Sequence, residues 1–135
     1  MRGDLLPSTV PLLTYIEFLI LTSLLIEDNH GLGLIQSILD RTNGEVFLSP
    51  GTLYAALKRL YKQKWIVESK RVLPNADGNQ ERRRYYTLTS QGRDMIVGEL
   101  NRMEMVVNQT HELLDQADRH FRYQSLHPLS ASIKT

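Results

Sequence analysis

The side chains that stand out chemically are cations crowded into one stretch. Lys58, Arg59, Lys62, Lys64, Lys70, Arg71, Arg82, Arg83 and Arg84 face only Glu68, Asp77 and Glu81 across residues 58–84, a local charge of +6. Residues 1–57 hold two basic and six acidic side chains, and residues 85–135 five and six, so the 135-residue chain nets only +1. A localised positive field of this kind suits a polyanion, and guanidinium and ammonium groups are the side chains that hold phosphate. The other chemistries fare worse. There is no cysteine, which excludes a thiolate nucleophile, a thiolate metal site and disulfides. No nucleophile–base pair or carboxylate pair emerges, so neither an enzyme nor a cofactor is expected. His111, Asp115, Asp118 and His120 are close in sequence, but their spacing does not put both histidines on one helix face, and no metal is expected. Gly31-Leu32-Gly33 lacks the third glycine and the preceding strand of a nucleotide-binding loop. His30 sits in a turn and is expected at the surface.

Those cations need a scaffold, and hydrophobic periodicity supplies it. Residues 1–10 read as a loose arm, with Pro7 and Pro11 preventing a helix before about residue 11. A first helix is expected from 11 to about 27. It is apolar nearly all round and must therefore be buried on more than one side. It carries Thr14, Glu17, Thr22 and Ser23 and falls short of the roughly 20 residues that span a bilayer, so a soluble, cytoplasmic protein without membrane contact is expected. A second helix from about 32 to 42 buries Leu34, Ile35, Ile38 and Leu39 and stops at Asn43-Gly44, the glycine suiting a left-handed cap. Residues 45–48 read as a short extended strand. Ser49 and Pro50 then open a third helix, residues 49–63, whose Leu53, Leu57 and Leu60 face the core. Thr52, Ala55, Lys58, Arg59 and Lys62 fall away from that stripe, with Tyr54 at its boundary. Residues 65–73 and 84–88 are rich in β-formers and flank turn residues 74–79, where Asp77-Gly78 can supply positive φ. Trp65, at a strand start, is read as a core residue.

The last helix is expected over residues 90–123, followed by a frayed tail at 124–135. Ile96, Leu100, Met103, Val107, Thr110, Leu114, Ala117 and Phe121 alternate at spacings of four and three, a heptad seam roughly 38 Å long. Such a helix overhangs a small module and calls for a second chain. Ile16, Ile20, Ile96, Leu100, Met103, Val107 and Leu114 are the expected dimer contacts. Met95, Met103 and Met105 offer an adaptable surface on which a small-molecule effector could sit between subunits.

Helix, helix, short strand, helix, hairpin, long helix is the plan of a winged helix-turn-helix (residues 11–89) with a dimerisation helix, mainly α with a small β component. A third helix of this kind can enter the major groove of double-stranded DNA while the hairpin wing reaches the flanking backbone. The expected DNA-facing residues are Ser49, Pro50, Gly51, Thr52, Tyr54, Lys58, Arg59 and Lys62 on the helix, and Lys70, Arg82 and Arg83 on the wing. Arg84 is expected to turn inward with Tyr86 and Leu88. A winged-helix module that binds protein instead of DNA is the alternative, which the +6 block disfavours.

The run Leu48-Ser49-Pro50-Gly51-Thr52-Leu53-Tyr54-Ala55-Ala56-Leu57-Lys58-Arg59-Leu60, followed by Arg82-Arg83-Arg84-Tyr85-Tyr86-Thr87-Leu88-Thr89-Ser90-Gln91-Gly92, resembles the PadR family of transcriptional regulators over about residues 12–115. The resemblance implies a dimeric winged-helix repressor of the compact subgroup, dimerised by its C-terminal helix. It implies that Ser49, Pro50, Gly51, Thr52 and Tyr54 begin the recognition helix. Roles known in the family, ligand-responsive stress and efflux control or promoter control in a circadian system, are the range it implies. Two positions depart from the family pattern. Gly31-Leu32-Gly33-Leu34 lacks a tyrosine, and Lys64 stands where glycine is usual, so the turn into the wing is expected to differ in shape.

Overall fold

The computed structural model describes residues 12–74, 78 and 80–126. The expected N-terminal arm, Pro7, Pro11, Asp77 and the end of the tail lie outside those residues. The chain divides into two units, residues 1–99 and 100–135. The first contains α1 (Tyr15–Ile26), β1 (Asn29–His30), α2 (Gly31–Arg41), α3 (Pro50–Lys62), β2 (Ile66–Pro74) and β3 (Gln80–Leu88); α4 (Ser90–Leu126) begins there and makes up the second.

Helix α1 starts later than proline placement suggests. Thr14 caps it: its hydroxyl accepts the Glu17 N–H at 3.1 Å, and the Glu17 carboxylate accepts the Thr14 N–H at 2.9 Å. This reciprocal box satisfies two backbone donors that a helix start leaves open. Buried positions 17, 19, 20, 21, 23 and 24 wrap most of α1, while Tyr15, Leu25 and Ile26 stay exposed.

Helix α2 begins one residue before the expected start, capped by His30, whose Nδ1 accepts the Gly33 N–H at 3.2 Å. At its other end Asn43, not Gly44, is the first left-handed residue (φ 54°), and Gly44 follows at φ 82°. The Gly44 N–H reaches Leu39 O at 2.8 Å and the Asn43 N–H reaches Asp40 O at 3.2 Å, which closes the last turn. Residues 45–48 form no strand. The third strand is β1, two residues that pair with Tyr85 and Tyr86 of β3, giving an antiparallel sheet of order β1-β3-β2 among the described residues.

Helix α3 follows its sequence signals closely. Ser49 Oγ accepts the Thr52 N–H at 3.2 Å, Pro50 is the first helical residue, and Leu53, Ala56, Leu57 and Leu60 are buried. The core gathers these with Ile20, Leu21, Leu34, Ile38, Trp65, Ile66, Tyr86 and Ile96. Trp65 is thus a core residue, 7% exposed.

Lys64 adopts φ 64°. The Trp65 N–H reaches Leu60 O at 3.1 Å and the Lys64 N–H reaches Tyr61 O at 3.0 Å, a Schellman closure with Lys64 at the left-handed position. Lys64 thus occupies a left-handed position that favours glycine, and lysine bears the strain. A left-handed non-glycine residue costs roughly 1–2 kcal/mol, and glycine's extra chain entropy costs about 0.5–1. Lys64→Gly is expected to raise stability by up to about 1 kcal/mol, read as a rise of a few degrees in the thermal midpoint. An unchanged or lowered midpoint would mean that the lysine stem earns its place by packing.

The end of β3 is fastened to this turn. The Thr89 hydroxyl donates to Lys64 O at 2.7 Å and accepts the Gly92 N–H at 3.0 Å, while the Thr89 N–H donates to Trp65 O at 3.1 Å. A β-carbon on Gly92 would overlap Trp65 O, so only glycine lets α4 start so close to the turn. Helix α4 continues to Leu126, three residues beyond its expected end. Among the described residues no helix is long and apolar enough to cross a membrane.

Two of the expected dimer contacts are overturned. Ile20 and Ile96 are 0% and 5% exposed, and Ile16 packs partly against the same core, so the first two have no surface left for a partner. Met95 also packs on the core, which takes it out of the expected effector surface.

Candidate nucleic-acid interface

Helix α3 has one buried stripe, and its remaining surface carries the candidate residues. Ser49, Pro50, Gly51, Thr52, Tyr54, Ala55, Lys58, Arg59 and Lys62 are all exposed. Gly51, Ala55, Lys58 and Lys62, three or four residues apart, share the side opposite the buried leucines. A β-carbon built on Gly51 meets nothing within 4 Å, so the fold itself does not require glycine there.

Arg59 lies on the flank next to α1 and is engaged there. Its Nε is 3.0 Å from Glu17 Oε2, and the Glu17 side chain is only 8% exposed. The sequence groups Arg59 with Lys58 and Lys62 as DNA contacts. The structure shows instead that it neutralises a buried carboxylate and ties α3 to α1. Arg59→Ala is expected to cost about 1–3 kcal/mol because Glu17 would remain buried without its counter-charge. Lys58→Ala should leave the thermal midpoint unchanged. Equal midpoints for the two variants would contradict this division of roles.

The wing presents two faces. Cross-strand pairs Glu68–Tyr86, Lys70–Arg84 and Val72–Arg82 point one way, and Ser69–Tyr85 and Arg71–Arg83 the other. Alternation does place Arg84 with Tyr86 and Leu88, as expected, but burial on this face ends at Tyr86. Arg84 therefore emerges with its side chain 52% exposed, 3.6 Å from Glu68 Oε2. It lines a recess of about 420 Å³ with Tyr54, Lys70, Arg82 and Arg83. Arg84 is thus a functional candidate that the sequence reading discounted. A hydrogen bond to Tyr86, with the nearby Glu68 carboxylate, raises its pKa above the usual guanidinium value. Burial pushes the Tyr86 phenol above its usual value, a shift that Arg84 partly offsets, so this hydroxyl stays neutral.

Tyr54 joins helix to wing. It is 46% exposed, and a β-carbon on Gly31 would overlap its hydroxyl, so the start of α2 must be glycine for the ring to lie there. The same ring borders a second recess of about 320 Å³ with Leu57, Lys58, Tyr61, Glu68, Arg84 and Tyr86. On the opposite wing face, Arg71 lies 4.4 Å over the Tyr85 ring and 3.0 Å from Asp28, while Arg83 approaches His30.

A capped helix with a small, cationic outer face beside an arginine-bearing hairpin defines the class: a winged helix-turn-helix. The family described as "Transcriptional regulator PadR-like family" matches residues 20–97, and the chain belongs to it. A PadR family transcription regulator from Clostridium difficile is similar at 29% identity, covering 75% of this chain and 99% of its own, with a TM-score of 0.63. A Streptococcus mutans protein is similar at 27% identity, covering 75% and 86%, with a TM-score of 0.56. Bacillus subtilis PadR in complex with operator DNA shares the fold at 18% identity, covering 64% of this chain and 47% of that one, with a TM-score of 0.56. No curated protein matches the chain.

Proposed function

We propose that this chain binds double-stranded DNA as a homodimer and represses transcription by occupying its site. The observation that carries the reading is the junction of Tyr54 on α3 with Lys70, Arg82, Arg83 and Arg84 on the wing, all lining one recess. Helix α3 enters the major groove with Gly51, Ala55, Lys58 and Lys62 outward, and Gly51 lets the backbone come close to the duplex. Lys70, Arg82 and Arg84 hold the flanking phosphates. Ser49 and Thr52, hydrogen-bonded to one another at 3.0 Å, lie at the helix start where a phosphate accepts backbone N–H groups. The operator complex of Bacillus subtilis PadR, a member of the same family, supports this reading.

The second copy is the occupant proposed for α4. Leu100, Val107, Leu114 and Phe121 are 46%, 52%, 54% and 70% exposed, and these seam positions recur at one heptad period. Val106 and Leu113 add a parallel exposed row, wider than a two-stranded seam needs. Tyr15, Leu25 and Ile26 on α1 are further apolar surface for the partner, in place of Ile20. A small-molecule effector, if the dimer takes one, would lie against Leu100, Met103 and Val107, which border a shallow recess of about 400 Å³. Repression follows from occupancy alone, since no activation surface is needed.

The test is binding to mixed genomic duplex fragments at two salt concentrations. A dimer making several phosphate contacts should bind at about 50 mM salt and lose on the order of 10³ in affinity by about 200 mM. Absence of binding at both would favour a protein-binding module instead.

A further inference from the structure

Glu68 is a carboxylate set among the cations of the wing. It stands opposite Tyr86 in the β2–β3 ladder, and Lys70 with Arg84 form the next pair along the same face. Glu68 Oε2 lies 3.6 Å from Arg84 Nε, the two side chains 35% and 52% exposed. Glu68 lines the recess of about 320 Å³ together with Lys58 and Arg84. The recess of about 420 Å³ shares Tyr54 and Arg84 with it and adds Lys70, Arg82 and Arg83. Among the described residues that line either recess, Glu68 alone is acidic.

At 3.6 Å the contact with Arg84 is an ion pair longer than a hydrogen bond. An exposed pair of this kind adds little to the stability of a fold. Its place on the wing has a different consequence. A phosphate that hydrogen-bonds Arg84 must take it from Glu68, and comes to rest inside the screening length of about 10 Å at 0.1 M salt. The carboxylate then loses its counter-charge and faces a second anion. Both effects weaken the complex, and neither depends on base sequence.

We infer that Glu68 competes with backbone phosphate for Arg84 and so holds down the affinity of this protein for duplex DNA of any sequence. The inference rests on the DNA reading above and adds to it an acid that opposes binding. A weaker grip on the backbone shortens the stay on unrelated sequences and leaves retention to the contacts of α3 in the groove.

Affinity for a mixed-sequence duplex is measured by fluorescence anisotropy across a salt series for the wild type, Glu68→Gln, Arg84→Ala and the double variant, with a thermal melt of each. Glutamine keeps the size of the side chain and removes its charge. Glu68→Gln should melt with the wild type and bind about fivefold more tightly at low salt, the worth of one exposed ion pair. Its slope of log affinity against log salt should steepen by up to about 0.9, because no carboxylate is left to recruit a cation as the phosphate releases its own. In the Arg84→Ala background the same exchange should tighten binding by less than about twofold, since the contested guanidinium is gone. Should Glu68→Gln melt early, Glu68→Thr keeps a strand former and replaces it. Unchanged or weaker binding by the stable variant, or an equal gain with and without Arg84, would overturn the inference while leaving DNA binding intact. A wild-type protein that binds no duplex at low salt would be a failure of the DNA reading itself and is seen before any variant is compared.

Discussion

Exchanging Arg82 and Arg83 for alanine is expected to lower affinity for duplex DNA by two orders of magnitude or more at low salt. On the DNA reading each guanidinium counts as up to one charge-assisted phosphate contact, worth about 1.5–3 kcal/mol, and a loss of 1.4 kcal/mol is tenfold. Neither residue belongs to the buried core: Arg82 is exposed and Arg83 half-buried on the opposite wing face. The fold should survive, and the thermal midpoint should change little. The slope of log affinity against log salt should flatten by about 1.8, since each neutralised phosphate contributes about 0.9. Weakening should be uniform across sequences, because backbone contacts position the protein without reading bases. A variant with wild-type affinity and slope would remove the wing from the interface. The converse change, Lys58→Ala with Lys62→Ala on α3, should act in the groove and leave the wing's share of the slope in place.

Replacing Leu100 and Val107 with glutamate is expected to give a monomer that no longer holds a two-part DNA site. Both side chains are about half exposed in the single chain, so the substitutions bury no charge within it. In a dimer they would place like charges on both sides of an apolar seam, where an unpaired buried carboxylate costs several kcal/mol. Light scattering should report half the mass. Site affinity should fall by several orders of magnitude, because the second recognition helix would no longer bind as part of the same molecule. Dimers that persist in this variant would mean that α4 does not carry the seam. The exposed α1 residues Tyr15, Leu25 and Ile26 would then be the next surface to change.

The sequence shows some of this plainly and some not at all. Ser49-Pro50 and the leucines at 53, 57 and 60 specify α3, because a cap and a periodic stripe are local signals that the packing then reinforces. The α1 start is equally local: Thr14 and Glu17 form the Thr-x-x-Glu box, a stronger start signal than a proline at position 11. β1 left no signal. Two residues cannot show a period, and Asn29–His30 are a strand only because β3 lies beside them.

The site was legible as a set of cations but not as a set of roles. Arg59 differs from Lys58 only through Glu17, forty-two positions away in the chain. Arg84 depended on where burial along the wing stops, and alternation gives a face without saying how far the core extends. His30 caps α2 through its ring, a role that a turn position in the sequence does not reveal. Lys64 shows the opposite case, a lysine whose backbone takes a left-handed conformation (φ 64°) that residue type alone does not suggest.

Selection of bound fragments from random duplex DNA, with the stoichiometry of the selected complex measured, bears most directly on the whole account. Two chains per site are predicted, on inverted half-sites whose centres lie one duplex turn apart, roughly 34–36 Å. Failure to enrich any duplex in dilute buffer, or enrichment of undivided sites by single chains, would contradict it.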